Sequence, residues 1–141
     1  NAGMEINQAR KKLETGGVQS LAAFGIDIET LLRQVGIRIG EELSFSMKDL
    51  SGDVEYLNEI MDWWEYSGLG KLTYDIDPVF HIEVHLDQNL SEESLPLSAL
   101  DDGIIEGAIM SRYESREGIE ISRIVGQSSD NFHSRYEIIM D

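Results

Sequence analysis

The sequence predicts an α+β fold of two layers, in which about four helices pack against a mainly antiparallel sheet of about four strands. Three observations predict this class. The first two are patterns of apolar residues: several stretches repeat them at helical spacing, whereas residues 71–86 and 119–140 alternate apolar with polar residues. The third is the order of the strands, which arrive in two pairs with short connections, as antiparallel hairpins do. A sheet with one apolar face then needs helices to cover that face.

The length of 141 residues is typical of one domain. We expect a single domain over residues 21–141, preceded by an N-terminal arm over residues 1–20. The arm contains a polar helix over about 5–14, which Gly16 and Gly17 end. Residues 1–3 precede Met4 and are a candidate cloning remnant.

The next helix is predicted over residues 27–43. Its apolar residues fall on one stripe, made of Ile28, Leu31, Leu32, Val35, Ile39 and Leu43. Gly36 and Gly40 lie four residues apart on a neighbouring stripe. Glycine in a helix interior costs about 1 kcal/mol relative to alanine, so this pair indicates either a closely packed neighbour, which we favour, or chance.

A further helix begins near residues 51–53, with Ser51 or Asp53 as its N-cap. Its predicted apolar stripe is Leu57, Ile60, Met61 and Trp64. Gly68 followed by the apolar Leu69 predicts that this helix ends in a left-handed cap.

After this helix, apolar residues recur at every second position instead of at helical spacing. Leu72, Tyr74 and Ile76 alternate with polar residues, and after Asp77 and Pro78 so do Phe80, Ile82, Val84 and Leu86. This pattern predicts a β-hairpin with one buried and one polar face.

An acidic loop over residues 88–96 precedes a helix predicted over 98–115, with Ser98 and Asp101 in a variant of the capping box. Gly103 and Gly107 repeat the four-residue spacing of small residues. The closing hairpin is predicted from two alternating series, Ile119, Ile121 and Val125, then Tyr136, Ile138 and Met140.

Composition and charge exclude several classes of function. The 27 acidic and 11 basic residues give a net charge of -16, which disfavours nucleic acid and anionic membranes. The absence of cysteine from the sequence excludes disulfides, thiolate metal sites and cysteine nucleophiles. No apolar run approaches the roughly 20 residues of a membrane span, and no signal peptide is recognisable, so we expect a cytoplasmic location.

The sequence contains no phosphate-binding glycine loop and no nucleophile elbow. We therefore predict neither an enzyme nor a bound cofactor. His81, Glu83 and His85 share one face of a strand and are a weak candidate for a metal site. The alternatives for these three residues are a solvated sheet face and a dimer interface.

Five segments together resemble the 4-vinyl reductase (4VR) domain family, and through it the TRAPP-type vesicle-tethering subunits and the haem NO-binding fold group. The resemblance spans about residues 31–139, and its motifs lie at 36–42, 66–71, 102–108, 120–126 and 134–138. The family often carries cysteines in its last hairpin. Ser122 and Ser134 stand closest to those positions here, so the resemblance implies that a cysteine-based site is missing.

The resemblance implies a sensory or regulatory domain that binds a small hydrophobic or aromatic molecule and forms a homodimer. A protein-interaction scaffold, as in the tethering subunits, is the alternative, and a metal-dependent enzyme using His81 and His85 is the third reading. The residues expected to line the ligand cavity are Tyr74, Ile76, Phe80, Ile82, Val84, Leu31, Ile105 and Trp64.

Overall fold

The computed structural model describes residues 27–85 and 98–140. Within these ranges it contains three helices and a four-stranded antiparallel sheet, so the predicted α+β class is confirmed. The predicted arm over 1–20, Leu86 and the loop over 88–96 lie outside the described residues. None of the helices in these ranges combines the length and the apolar character needed to cross a membrane.

The chain divides into two compact units. The described part of the first, here called the helix-pair unit, comprises residues 27–49 and 98–112 and contains helices α1 (Ile28–Ser46) and α3 (Ser98–Arg112). The second, here called the sheet unit, comprises residues 50–85 and 113–140. It contains helix α2 (Asp53–Tyr66) and the whole sheet.

Helix α1 begins at an aspartate cap. Asp27 accepts a hydrogen bond from the Thr30 backbone N–H at 3.3 Å and a second from the Thr30 hydroxyl at 2.7 Å. These bonds satisfy one of the amide donors that a helix start leaves open. The hydroxyl bond is the main cause of a lowered pKa of the Asp27 carboxyl, because a bond to the charged form favours ionisation.

Helices α1 and α3 pack closely along their glycines, as the glycine spacing predicts. A Cβ atom at Gly36 would lie 2.9 Å from the Ile104 backbone nitrogen, and one at Gly40 would lie 2.5 Å from the Ala108 nitrogen. On the facing helix, a Cβ atom at Gly103 or Gly107 would clash with the backbone of α1. The two backbones therefore approach each other at four positions where only a hydrogen atom fits.

The predicted buried stripe of α1 is correct at Leu32 and wrong at Leu31 and Val35. The buried residues are Leu32, Gly36, Gly40 and Ser44, whereas Leu31 and Val35 are each 46% exposed. The helix turns its smallest residues toward α3, because close backbone contact is available only on that face. The larger apolar side chains of the predicted stripe then lie beside the contact.

In the sheet unit, the predicted N-caps of α2 are also wrong. Gly52 is the N-cap residue, without a side-chain cap bond. Asp53 instead accepts a hydrogen bond from the Tyr113 hydroxyl at 2.9 Å. The buried residues of α2 are Tyr56, Leu57, Ile60 and Trp64, and Met61 of the predicted stripe is half-buried.

The end of α2 is the predicted left-handed cap. Gly68 has a φ of 77°, its N–H donates to the Glu65 carbonyl at 3.1 Å, and the Leu69 N–H donates to the Trp64 carbonyl at 3.3 Å. This pair of bonds is the Schellman motif. Leu69 is buried, as the apolar residue after such a cap usually is.

The four strands are β1 (Lys71–Asp75), β2 (His81–His85), β3 (Glu120–Val125) and β4 (Ser134–Ile139). Their order in the sheet is β1-β2-β4-β3, and all neighbours are antiparallel. Both predicted hairpins are present, and β2 joins them by pairing with β4. The apolar face carries Leu72, Ile82, Val84, Tyr136 and Ile138, and α2 packs against β1.

Candidate functional site

The end of α2 carries two buried polar groups that lack a hydrogen-bond partner among the described residues. Trp64 is 0% exposed and Ser67 is 1% exposed. Neither the Trp64 Nε1 nor the Ser67 Oγ has a hydrogen-bond partner in the part of the chain that the structure describes. The two residues are three positions apart, so they lie on the same side of the helix end.

The Schellman motif fixes these two residues. The Trp64 carbonyl accepts from Leu69, and the Ser67 N–H donates to the Trp63 carbonyl at 2.9 Å. These backbone groups of the turn are therefore bonded, whereas the two side-chain groups have no partner in residues 27–85 and 98–140. Trp63, the neighbouring indole, is half-buried and meets the Trp64 ring edge-on, with 6.4 Å between centroids.

Ile82 and Val84, two of the predicted ligand-binding residues of the hairpin, are buried on the apolar sheet face. Tyr74, which pairs with Ile82, is half-buried, and its hydroxyl donates to the Asn58 side chain of α2 at 2.7 Å. This hydrogen bond ties β1 to α2 within the sheet unit. The sheet unit thus contains Trp64 and the central residues of the predicted hairpin face.

Two hairpin residues differ from their predicted setting. Strand β1 ends at Asp75, so Ile76 lies beyond it and is 37% exposed. Phe80 precedes β2 and is half-buried, with its ring edge-on to Tyr113 at 6.4 Å. Ile76 therefore does not extend the buried face, because the polar turn that follows β1 starts one residue earlier than the alternation predicts.

Leu31 and Ile105, the remaining predicted ligand-binding residues, belong to the helix-pair unit. Ile105 is buried on α3, whereas Leu31 is exposed on α1. Leu31 is therefore not the interior residue that was predicted, because α1 turns Gly36 and Gly40 toward α3.

The polar face of the sheet carries a charged cluster around Glu83. Its carboxylate accepts a hydrogen bond from Arg135 at 2.9 Å, and Arg135 also lies 3.7 Å from Glu137. The Nε2 atoms of His81 and His85 lie 4.0 Å and 3.9 Å from the same carboxylate. As predicted, both histidines project from the face opposite Ile82 and Val84.

This cluster does not have the geometry of a metal site. His81 and His85 are four residues apart on one strand, which places their Cα atoms about 13 Å apart. Both rings would have to bring a nitrogen to about 2.0–2.1 Å from one zinc ion. The His81 Nδ1 instead donates to the Val79 carbonyl at 2.9 Å. Within residues 27–85 and 98–140, no group of three or more His, Cys, Asp and Glu residues is arranged to hold a metal.

Sequence reasoning missed Ser67 and Arg135. Ser67 is the C-cap residue of α2, and its distance of three positions from Trp64 is the signal that it shares the buried side. Arg135 meets Glu83 only because β2 pairs with β4, and the sequence contains no signal for that pairing.

Comparisons with protein-family models, with curated proteins and with solved structures find no match for this chain. The resemblance to the 4VR family therefore stays an expectation that rests on residue patterns.

Proposed function

We propose that the chain is a small-molecule-binding domain of the 4VR type, a cytoplasmic sensory or regulatory domain whose hydrophobic or aromatic ligand contacts the sheet unit at Trp64. The observation that supports this proposal is the pair of buried polar groups at the end of α2. The Trp64 indole N–H and the Ser67 hydroxyl have no partner among the described residues, although both lie out of contact with solvent.

Such groups are expensive to bury. A buried donor without an acceptor destabilises a fold by about 1–3 kcal/mol, because it gives up water and gains nothing in return. A ligand with an acceptor atom for the indole N–H would remove that cost. Ordered water is the other molecule that satisfies buried polar groups, so the test must distinguish an organic ligand from water.

A thermal-shift screen of fatty acids, aromatic compounds and tetrapyrroles tests the proposal on the whole chain. A ligand that binds the native state stabilises it by about 2.7 kcal/mol at a concentration one hundred times its Kd, which raises Tm by several degrees. We expect at least one compound to do so. Trp64→Phe removes the indole N–H and should abolish the shift, whereas the matched change Trp63→Phe should preserve it.

Ser67→Ala gives an independent check that does not disturb the indole. Removing a buried hydroxyl that has no partner should leave the stability of the ligand-free chain unchanged or slightly higher. It should also reduce the ligand-induced shift. A screen without any stabiliser, or a shift that is equal in Trp64→Phe and Trp63→Phe, would contradict the proposal.

The exposed apolar stripe of α1 favours a second candidate function, a scaffold that associates through this helix. Leu31 and Val35 are exposed and lie one turn apart, with the half-buried Ile28 and Ile39 on the same side. We propose a second copy of the chain as the partner. Helix α1 carries two arginines and three glutamates, so like-charge repulsion is weaker there than the net charge of -16 implies.

Sedimentation over a range of concentrations tests this second candidate. We expect a monomer–dimer equilibrium that Leu31→Gln and Val35→Gln weaken. Val54→Gln replaces an equally exposed apolar residue in the sheet unit and serves as the control. A chain that remains monomeric at all concentrations, or a dimer that is insensitive to both α1 variants, would contradict it.

A further inference from the structure

We infer that the ligand held at Trp64 is uncharged and presents a neutral acceptor, such as a carbonyl, ether or hydroxyl oxygen, to the indole N–H. This inference rests on the proposed function, because it takes binding at Trp64 as given. It adds the chemical class of the ligand and excludes carboxylates, which are otherwise common among hydrophobic metabolites.

The hydrogen-bonding capacity of Trp64 and Ser67 sets the first condition that the ligand must meet. An indole nitrogen only donates, so the ligand atom that meets Trp64 must be an acceptor. The Ser67 hydroxyl both donates and accepts. A carbonyl oxygen, with two lone pairs, can accept from either group, and a ligand hydroxyl can accept from Trp64 while it donates to Ser67.

The position of the two groups sets the second condition. Trp64 lies in the last turn of α2 and Ser67 is its C-cap residue. The carbonyl end of a helix carries a partial negative charge, and the last turn of this described helix contains no basic residue. Its one acidic residue, Glu65, is exposed, so the helix end itself supplies the negative potential at the buried groups. A carboxylate buried here would face repulsion without a compensating cation.

The described arginines and the one lysine of the sheet unit have other positions, and Arg116 lies over the Tyr113 ring. Arg135 is hydrogen-bonded to Glu83 on the face opposite Ile82 and Val84. Lys71 is on that same outer face, opposite His85 in the register of β1 and β2. Arg123 is on the same side of the sheet as its register partner Tyr136. It is exposed on the edge strand β3, from which it donates to the Ser134 hydroxyl of β4 at 3.2 Å. Because the strand order is β1-β2-β4-β3, β3 is the strand farthest from β1, against which α2 packs. A buried carboxylate needs a paired cation, since its desolvation is otherwise uncompensated.

Acetophenone and benzoate provide a matched pair of probes, because they share one ring and differ in a neutral ketone against a carboxylate. The ¹⁵N-labelled chain has two indole N–H resonances, one for each tryptophan, and Trp63→Phe assigns them. At neutral pH we expect acetophenone to move the Trp64 indole resonance in a saturable titration. Benzoate should need a concentration at least about ten times higher, or should not move it. Melting curves of the unaltered chain with each probe repeat the comparison without a substitution.

The outcomes distinguish a failure of the inference about charge from a failure of the proposed function. If benzoate saturates the Trp64 resonance at the same or a lower concentration than acetophenone, the charge inference is wrong and the proposed function stands. If acetophenone stabilises the chain without moving that resonance, the assignment of the acceptor to Trp64 is wrong. If neither probe moves the resonance and the thermal-shift screen finds no stabiliser, the proposed function fails together with the inference.

Discussion

Asp27 shows how a single side chain fixes the start of a helix. The aspartate precedes the first apolar residue of the predicted helix, and it caps α1 through two bonds to Thr30. The carboxylate form accepts both bonds, which is why the pKa of Asp27 lies below its usual value of 3.8. A lowered folded-state pKa means that this contribution to stability is present above the unfolded pKa and is lost as the pH falls through the folded pKa.

We therefore expect Asp27→Ala to lower Tm at neutral pH and to differ less from the parent chain in acid. Asp27→Asn keeps an oxygen that can accept from the Thr30 N–H, so it should lie between the two and should lack the pH dependence. Circular dichroism melts of the three chains at neutral and acidic pH measure both effects. A destabilisation of equal size at both pH values would show that the cap does not act through its carboxylate.

Trp64 marks the limit of what sequence reasoning reaches at the level of one residue. Helical spacing placed Trp64 on the buried stripe of α2, and the structure confirms this. Spacing does not reveal whether the indole N–H finds an acceptor, because the answer depends on which atoms the surrounding elements present. The sequence likewise does not show that the Ser67 hydroxyl is buried, although it does predict that Ser67 lies at the helix end.

At the scale of elements, the apolar residues of α1 and its buried face coincide only in part, although the two usually agree. Apolar residues normally mark the buried face of a helix, which is why they were used to predict the buried stripe of α1. Here the buried face is centred on Gly36 and Gly40, which allow the backbone of α3 to approach, and Leu32 is the one large apolar residue of the predicted stripe that is fully buried with them. The glycine spacing correctly predicted close packing, and this packing fixes which face of α1 is turned toward α3.

The glycine contacts predict that even alanine is too large. Alanine has a higher helix propensity than glycine by about 1 kcal/mol, yet at Gly107 its methyl group would meet the backbone of Ile37. Backbone atoms cannot rotate away, so we expect Gly107→Ala to destabilise the chain by about 1–3 kcal/mol in urea denaturation. Gln34→Ala, at an exposed position of α1, should be nearly neutral. A rise in the unfolding midpoint of Gly107→Ala would contradict the close packing.

The charged cluster on the outer face of the sheet gives a prediction about metals. Because His81 and His85 lie on either side of Glu83, one zinc ion cannot bind both rings without a rearrangement of β2. We expect one equivalent of zinc to leave the side-chain resonances of the two histidines unmoved in a nuclear magnetic resonance titration. A concerted shift of both at stoichiometric zinc would bring the metal-enzyme reading back.

At the scale of the whole molecule, the sequence predicted the class and most elements but not the connections between them. The alternation that includes Leu72 and Val84 was sufficient to predict the first hairpin and its buried face. The pairing of β2 with β4, which joins the hairpins, depends on contacts between distant segments that carry no local signal. The division into two compact units also arises from such contacts, and the proposed site accordingly rests on the sheet unit alone.

The net charge of -16 predicts how the whole chain behaves toward polyanions. Nucleic-acid affinity comes mainly from cations that displace the counterions of phosphates. We therefore expect no complex with random duplex DNA in gel shifts at moderate salt and micromolar protein. A shifted band that disappears as salt is raised would show that a local basic surface outweighs the overall charge.

The most direct test of the central claim is a crystal structure of the chain grown with the strongest stabiliser from the thermal screen. The account predicts an acceptor atom of that compound within about 2.7–3.2 Å of the Trp64 Nε1, with its apolar part against the apolar face of the sheet. An indole N–H bonded to ordered water or to a protein acceptor, with the compound bound elsewhere, would contradict it.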